Sequence, residues 1–103
     1  MENINKFNKT KIYKIYSNQC NDIYIGSTIK KNYRSRLNDH RYDYKNRHNR
    51  PYCTSFELLK YNDCEIELIE LCNFQNSKQK TERERYYINL YNHTVNKYLK
   101  NNN

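Results

Sequence analysis

Two segments rich in isoleucine and tyrosine, joined by a short polar connection, constrain the fold of this chain more than any other feature. Residues 11–17 (KIYKIYS) and 22–28 (DIYIGST) flank the turn-prone residues 18–21 (NQCN). Branched and aromatic side chains favour extended backbone, and a short connection between two such runs favours antiparallel pairing. The two segments are therefore predicted to form a β-hairpin.

The next segments predict two helices. Residues 33–47 predict a helix that starts after Asn32 as N-cap and is interrupted by Pro51. Its apolar and aromatic stripe consists of Tyr33, Leu37, His40 and Tyr44. Residues 54–57 (TSFE) match a capping box and predict a short helix to about residue 61.

A third strand and a long helix complete the predicted order. Residues 64–72 (CEIELIELC) predict the strand, and residues 77–92 predict the helix. The order β-β-α-α-β-α indicates an α/β fold of the α+β type, with a small three-stranded, mostly antiparallel sheet flanked by helices. At 103 residues, without a repeat or a Gly/Ser linker, one domain is expected. We expect it at residues 11–98, with a flexible N-terminal segment at 1–10 and a disordered tail at 99–103.

Charge is distributed unevenly along the chain. The 19 Lys and Arg against 11 Asp and Glu give a net charge of +8. Residues 30–50 hold eight bases and two acids, whereas residues 51–76 hold one base and five acids. This asymmetry predicts a basic face for a polyanion such as DNA, although solubility alone is the simpler explanation of a basic small protein. The expected nucleic-acid contacts are Lys30, Lys31, Arg34, Lys45 and Arg47.

The cysteines and the apolar content limit the other classes of protein. The four cysteines are too far apart in the sequence for a CxxC pair, which argues against a structural zinc site. They are Cys20, Cys53, Cys64 and Cys72. No apolar run approaches the length of a membrane span, so no membrane partner is expected. No signal peptide is evident, and the thiols are expected to be reduced in an intracellular protein of the cytoplasm or nucleus rather than a secreted one.

Two tyrosines of the predicted hairpin are candidates for proton chemistry. Tyr13 and Tyr24 lie on paired strands, where cross-strand neighbours on one face come within a few ångströms of each other. Two phenols there could hold and deprotonate a water beside a phosphate, but with 12 tyrosines a structural role is the simpler interpretation. Gly26 is the only glycine and is expected to serve a positive φ or a close approach of the backbone to a ligand.

Arg36, His40 and Glu84 are the other candidates. A helix would place Arg36 and His40 one turn apart on one side, where guanidinium can grip phosphate and imidazole can move protons. The alternative is a solvated base beside a core-edge histidine. Glu84 shares a predicted helical stripe with Ile88 and Tyr91, and a hard cation such as Mg²⁺ would offset the cost of a carboxylate there. In the competing interpretation, Glu84 closes a capping box that begins at residue 81.

These residues stand in the order of a known family. The ordered set consists of KIY at 11–13, YIG at 24–26, Arg36, His40, Glu84 within TERERYYI, and Asn96 after TV. From about residue 11 to residue 96 the chain resembles the GIY-YIG endonuclease family. The resemblance implies a small nuclease that hydrolyses phosphodiester bonds of DNA with one divalent metal ion.

The resemblance also implies a role for each residue of the set. Tyr13, assisted by His40, would act as the general base on water. Arg36 would neutralise charge that develops on the phosphate, and Tyr24 would help to hold the phosphate. Glu84 would carry Mg²⁺ or Mn²⁺ on the side of the leaving group.

Asn96 and three departures from the family pattern complete the comparison. Asn96 would orient the metal-bearing segment or bind phosphate. The family glycine of GIY is replaced by Lys11, and Arg34 suits the usual spacing of the arginine better than Arg36 does. Some members carry a further histidine near the position of Cys53; that role is either absent or supplied by His48.

A rival function from another class stays open at this stage. A catalytically inactive, basic nucleic-acid-binding module would share the charge and the fold, but it would need no buried carboxylate. Because the sequence holds little beyond the nuclease unit, we expect loose nicking, recognition of branched DNA, or targeting by a protein partner.

Overall fold

The computed structural model describes residues 8–96, and its sheet is built on the predicted hairpin. Strand β1 (Asn8–Tyr16) pairs antiparallel with strand β2 (Ile23–Thr28). Strand β3 (Glu65–Asn73) pairs antiparallel with the other side of β1, so the strand order is β2-β1-β3. The predicted three-stranded sheet is confirmed, and β1 is its central strand.

Strand β1 begins at Asn8 rather than at residue 11. Thr10 is fully buried and pairs with Cys72 of β3, which keeps the chain in the sheet before the Ile- and Tyr-rich run begins. The register shifts between residues 8 and 10, and Lys9 adopts a φ of 70° at this irregularity. The end of the predicted flexible segment therefore belongs to the sheet. The rest of that segment and the predicted tail at 99–103 lie outside the described residues.

Within residues 8–96 the α-helices follow the predicted order, with a 3-10 helix after the first of them. They are α1 (Ser35–Lys45), the 3-10 helix (Arg47–Asn49), α2 (Phe56–Leu59) and α3 (Ser77–Leu90). The order β-β-α-α-β-α and the α+β fold are thus confirmed.

The N-caps of α1 and α2 differ from the prediction. The side chain of Asn32 accepts a hydrogen bond from the backbone N–H of Arg34 at 3.1 Å, so Asn32 closes the turn that precedes α1 instead of capping the helix. The predicted capping box at residues 54–57 does not form, because α2 starts only at Phe56 and the Glu57 carboxylate accepts from the Tyr52 hydroxyl at 2.7 Å.

Two hydrophobic clusters lie on opposite faces of the sheet, as the alternation of side chains along a strand requires. The α1-side cluster contains Tyr13, Ile15, Leu58, Leu59, Cys64 and Val95, with Tyr33, Leu37 and Tyr44 packed against it. The α3-side cluster contains Ile12, Ile25, Cys72, Phe74 and Tyr87, with Ile88 and Tyr91 packed against it. The predicted stripe of the first helix and that of the last helix therefore both face the core, with His40 buried in the first.

Two further features bear on the class of protein. All four cysteines are free. Among residues 8–96, no helix has the length and apolar character needed to cross a membrane.

Candidate active site

Tyr13 and Gly26 face each other across the hairpin. Tyr13 is only 1% exposed, and its phenol lies over Gly26 on the paired strand. A Cβ atom at Gly26 would come within 2.5 Å of the Tyr13 hydroxyl oxygen, a distance that side chains do not tolerate. Gly26 does not adopt a positive φ, so the first of the two reasons expected for this glycine was wrong, and the approach of a ligand stays a prediction. The single glycine is required by the close approach of a phenol.

Tyr24 lies on the same face of the sheet as Tyr13, diagonally across the two strands. Tyr24 pairs with Ile15 and not with Tyr13, and the two phenol rings are 6.4 Å apart between centroids. Diagonal neighbours at this separation remain within reach of long aromatic side chains. Both phenols therefore belong to one site, although the strands do not place them directly opposite each other.

His40 of α1 joins the two phenols. Its ring packs edge-to-face with both phenol rings. The ring centroid of His40 is 6.2 Å from that of Tyr13 and 5.1 Å from that of Tyr24. His40 Nε2 is hydrogen-bonded to the Tyr13 hydroxyl at 2.9 Å. Burial, and to a lesser degree the charge of Arg36, lower the pKa of His40 to about 4. The imidazole is therefore neutral at physiological pH, and one of its two nitrogens carries no proton and can accept one.

The phenols themselves are protonated at neutral pH. Burial raises the pKa of Tyr13 to about 12, against the opposing effect of the Arg36 guanidinium. Burial, with Tyr13 and Cys53 as neighbours, raises the pKa of Tyr24 further. Neither tyrosine is ionised at neutral pH. Tyr13 can therefore act as a base only if another group accepts its own proton. His40 Nε2 is placed to be that acceptor.

Arg36, and not Arg34, is the arginine of this site. The Arg36 guanidinium is close enough to Tyr13 to lower the pKa of that phenol, and it donates to the Asp39 carboxylate at 3.0 Å. Arg34 is exposed and lies 5.5 Å from the ring of Tyr33. The loop between β2 and α1 absorbs the longer spacing, while the helix keeps Arg36 one turn from His40.

Glu84 reaches the same part of β2 from the opposite face of the sheet. Its half-buried carboxylate accepts a hydrogen bond from the hydroxyl of Ser27, the residue next to Gly26. Its charge is close enough to raise the pKa of both Tyr13 and Tyr24. Within residues 8–96 the structure shows no ion pair for this carboxylate.

Glu84 does not close a capping box. Helix α3 begins at Ser77, and the side chain of Asn76 caps it by accepting from the backbone N–H of Gln79 at 3.0 Å. Thr81 therefore lies inside the helix, one turn past the cap. The competing interpretation of Glu84 was wrong, and its predicted position on the stripe with Ile88 and Tyr91 is correct.

Asn96 fastens the segment after α3 to strand β2. Its side-chain oxygen accepts from the backbone N–H of Ile25 at 2.9 Å, and its amide nitrogen donates to the Ile25 carbonyl at 2.9 Å. The neighbouring Thr94 forms a parallel bridge with Ile23. Both ends of its amide therefore hold the strand that carries Tyr24 and Gly26. The role expected for Asn96 towards the metal-bearing segment or phosphate stays a prediction.

Cys53 lies at the position for which the resemblance implied a histidine in some members. It lies against the Tyr24 phenol and accepts a hydrogen bond from the Ser55 hydroxyl at 3.3 Å. His48 is exposed in the 3-10 helix. The sequence did not point to Ser27 or Ser55 as site residues. For Ser27, the only feature of the sequence that pointed to the site was its position directly after the single glycine. Ser55 lies within the residues predicted to form a helix cap, so no catalytic role was expected for it.

The donor chemistry around Glu84 fits a hard divalent cation. A carboxylate and a hydroxyl are oxygen ligands, and Mg²⁺ commonly takes one or two carboxylates and completes its shell with water and substrate phosphate. Among the described residues no group of three or more His, Cys, Asp or Glu forms a complete metal cage. A cation held at Glu84 would therefore take most of its ligands from water and substrate.

The basic residues predicted to contact nucleic acid lie at the surface. Lys30 Nζ forms an ion pair with the Asp39 carboxylate at 2.8 Å. The other four are exposed: Lys31, Arg34, Lys45 and Arg47. The acidic residues Glu65, Glu67 and Glu70 lie on β3, the edge of the sheet opposite to β2. The part of the site on β2 is thus remote from the acidic strand.

The buried, neutral His40 predicts a pH dependence of stability. Its pKa is 6.5 in the unfolded chain and about 4 in the folded protein. Below pH 6.5 the unfolded chain therefore binds a proton that the folded protein does not, and the free energy of unfolding falls as the pH drops. Between pH 6.5 and pH 5 this effect amounts to about 2 kcal/mol. Urea unfolding of the wild type and of His40→Gln at both pH values measures it.

We expect the decrease in the wild type to be larger than in His40→Gln by about that amount. The carboxyl groups of Asp39, Asp63 and Glu70 have lowered pKa values and lose their contributions at more acidic pH, below the range compared. Equal decreases in the two proteins would contradict a neutral, buried His40.

The small antiparallel sheet thus holds two phenols, an imidazole and an arginine on one face of the hairpin and a carboxylate on the other. The GIY-YIG catalytic domain model matches residues 9–99, so the chain belongs to that family. It is a nuclease domain of the GIY-YIG type. The chain has no significant match among curated proteins or solved structures.

Proposed function

We propose that this protein is a metal-dependent endonuclease that hydrolyses phosphodiester bonds of DNA. The observation that carries the proposal is the buried hydrogen bond of 2.9 Å between the Tyr13 hydroxyl and His40 Nε2, with the Arg36 guanidinium beside the phenol. On the other face of β2, the Glu84 carboxylate accepts from Ser27 and has no ion pair among the described residues. Perturbed titratable groups gathered in this way are typical of a functional site.

Tyr13 and His40 supply the base as a pair. A free phenolate at pH 7 would cost about 7 kcal/mol for a phenol whose pKa is about 12. When Tyr13 takes a proton from the attacking water while its own proton passes to His40 Nε2, this cost is replaced by the smaller one of protonating the imidazole, about 4 kcal/mol at pH 7 for a pKa of about 4. The neutral imidazole ends the step as imidazolium, near the negative charge that the phosphate gains.

Arg36 and Tyr24 bind the phosphate in this scheme. Arg36 is held by Asp39 and keeps further N–H groups for the two non-bridging oxygens, whose charge grows in the transition state. Tyr24 stays protonated, so its hydroxyl can donate to a phosphate oxygen.

Glu84, with Ser27 beside it, would hold Mg²⁺ or Mn²⁺. When bound, the cation supplies Lewis-acid stabilisation of charge on the phosphate and the leaving oxygen.

A plasmid assay tests this function directly. The purified protein is incubated with supercoiled plasmid DNA in Mg²⁺, in Mn²⁺ and in EDTA, and the nicked and linear forms are measured. We expect cleavage with either cation and none in EDTA. If the protein binds the plasmid but cuts neither it nor a branched DNA with either cation, the inactive binding module becomes the better description.

The basic residues of segment 30–50 predict a salt-dependent affinity. We expect Lys45 and Arg47 to contact phosphates, so the double variant Lys45→Ala, Arg47→Ala should bind all DNA sequences more weakly. The slope of log K against log salt should become shallower by about 2, since each phosphate contact contributes about 0.9. Fluorescence anisotropy of a labelled duplex over a salt series measures both effects.

The matched control removes two exposed lysines outside that segment, Lys60→Ala with Lys78→Ala. Net charge falls equally in both double variants, so a general effect of charge would flatten both slopes alike. That result would contradict a local DNA surface at segment 30–50.

A further inference from the structure

A chain of buried hydrogen bonds continues beyond the Tyr13–His40 pair. The other ring nitrogen, His40 Nδ1, is hydrogen-bonded to the Ser55 hydroxyl at 2.9 Å. The Ser55 hydroxyl donates in turn to Cys53 Sγ at 3.3 Å. Ser55 is fully buried and His40 is only 4% exposed, so water does not substitute for these partners.

The direction of this chain depends on where the single proton of the Ser55 hydroxyl lies. It can be directed to Cys53 Sγ or to His40 Nδ1, since the Cys53 thiol can itself donate to the Ser55 oxygen. When it is directed to Cys53, the Ser55 oxygen accepts from His40, and the proton of the imidazole is on Nδ1. A neutral imidazole with its proton on Nδ1 has a free electron pair on Nε2, the nitrogen that faces Tyr13.

The other tautomer would disable the pair. With the proton on Nε2, the imidazole would donate to the Tyr13 oxygen and could not receive the phenol proton. Nδ1 would then need a donor, and Ser55 would have to turn its proton away from Cys53. The Arg36 guanidinium favours the first tautomer, because a Tyr13 oxygen that accepts from Arg36 leaves its own proton to be donated to His40 Nε2, 2.9 Å away.

The geometry points to Ser55 as a positioning residue that fixes the neutral tautomer of His40, with Cys53 as the acceptor that sets the direction of the Ser55 hydroxyl. This inference rests on the proposed function, in which His40 receives the proton of Tyr13. Ser55 does not touch the substrate in this scheme and acts through the imidazole alone.

Nitrogen NMR of the His40 ring tests the tautomer without any reference to cleavage. In the wild type we expect the signal of a protonated Nδ1 and an unprotonated Nε2. In Ser55→Ala we expect a mixture of tautomers or the reverse one, and in Cys53→Ala a smaller change in the same direction. A wild-type ring protonated on Nε2, or an unchanged ring in Ser55→Ala, would overturn the inference.

Cleavage kinetics supply the second measurement. Ser55→Ala should lower the single-turnover rate by between about tenfold and the roughly 10⁴-fold that a wrong histidine tautomer costs in a catalytic triad. DNA affinity and the dependence on metal concentration should not change. Ser55→Thr keeps the hydroxyl and should restore the wild-type tautomer and most of the rate.

The control is Ser17→Ala, which removes another buried serine hydroxyl, one that donates to Asp63. It should lose stability without a change in the His40 tautomer or in the cleavage rate. If the wild type cuts no DNA, the proposed function fails while the NMR measurement still decides the tautomer. If the wild type cuts and Ser55→Ala cuts at the same rate, the positioning role fails while the proposed function stands.

Discussion

Glu84→Gln is expected to abolish metal-dependent cleavage while the fold and the affinity for DNA are retained. Glutamine has the same size and keeps an oxygen that can accept from Ser27, so the contact to β2 survives. What disappears is the negative charge, and a hard cation binds an amide far more weakly than a carboxylate. If the cation supplies several kcal/mol of transition-state stabilisation, the rate should fall at least about a thousandfold.

The matched control for this change is Glu82→Gln, an exposed carboxylate on the same helix. It changes the net charge identically and should cleave plasmid at the wild-type rate. Wild-type nicking by Glu84→Gln would remove this residue from the mechanism. A large loss of melting temperature in Glu84→Gln would instead assign the carboxylate a structural role at strand β2.

Tyr13→Phe should cleave at least about a hundredfold more slowly, the lower end of the range for a positioned general base. Phenylalanine fills nearly the same volume beside Gly26, but it can neither take a proton from water nor pass one to His40. The loss of the buried hydrogen bond leaves His40 Nε2 without its partner, which should cost about 1–3 kcal/mol of stability. Single-turnover cleavage with saturating metal, together with urea unfolding, separates the two effects.

Tyr16→Phe is the control on the same strand. It removes a phenol hydroxyl outside the site and should leave the rate unchanged. We expect DNA affinity and metal affinity to stay at wild-type values in both variants. An unchanged single-turnover rate in Tyr13→Phe would exclude this phenol as the base.

The elements of the fold could be predicted because their patterns are local. The Ile- and Tyr-rich strands and the stripe of the last helix follow from alternation and helical spacing over a few residues, and Ser77 was correctly taken as the start of α3. The caps could not be predicted in the same way. Asn32 and Glu57 have side chains suited to capping, but their contacts depend on where the first turn begins and on Tyr52.

The residues of the site could be named from the order of the motifs, but their contacts could not. Nothing local to the sequence shows that His40 meets Ser55, or that Glu84 meets Ser27 across 57 positions. The reason for the single glycine was also missed, since it depends on where the Tyr13 ring lies. Side-chain direction between distant segments is a property of tertiary packing, which a pattern along one chain does not contain.

The position of the site at strand β2 divides the enzyme into two separately adjustable parts. The side chains assigned to proton transfer are anchored in the α1-side cluster, whereas Glu84 is anchored through α3 to the α3-side cluster. Substitutions at sites that are well separated and share no partners usually contribute independently. Substitutions around Tyr87 or Ile88 would therefore tune the choice of cation and its affinity, and substitutions around Leu37 or Leu58 would tune the base. In the proposed enzyme, the cation site can therefore be altered by substitution while the proton-transfer pair is kept.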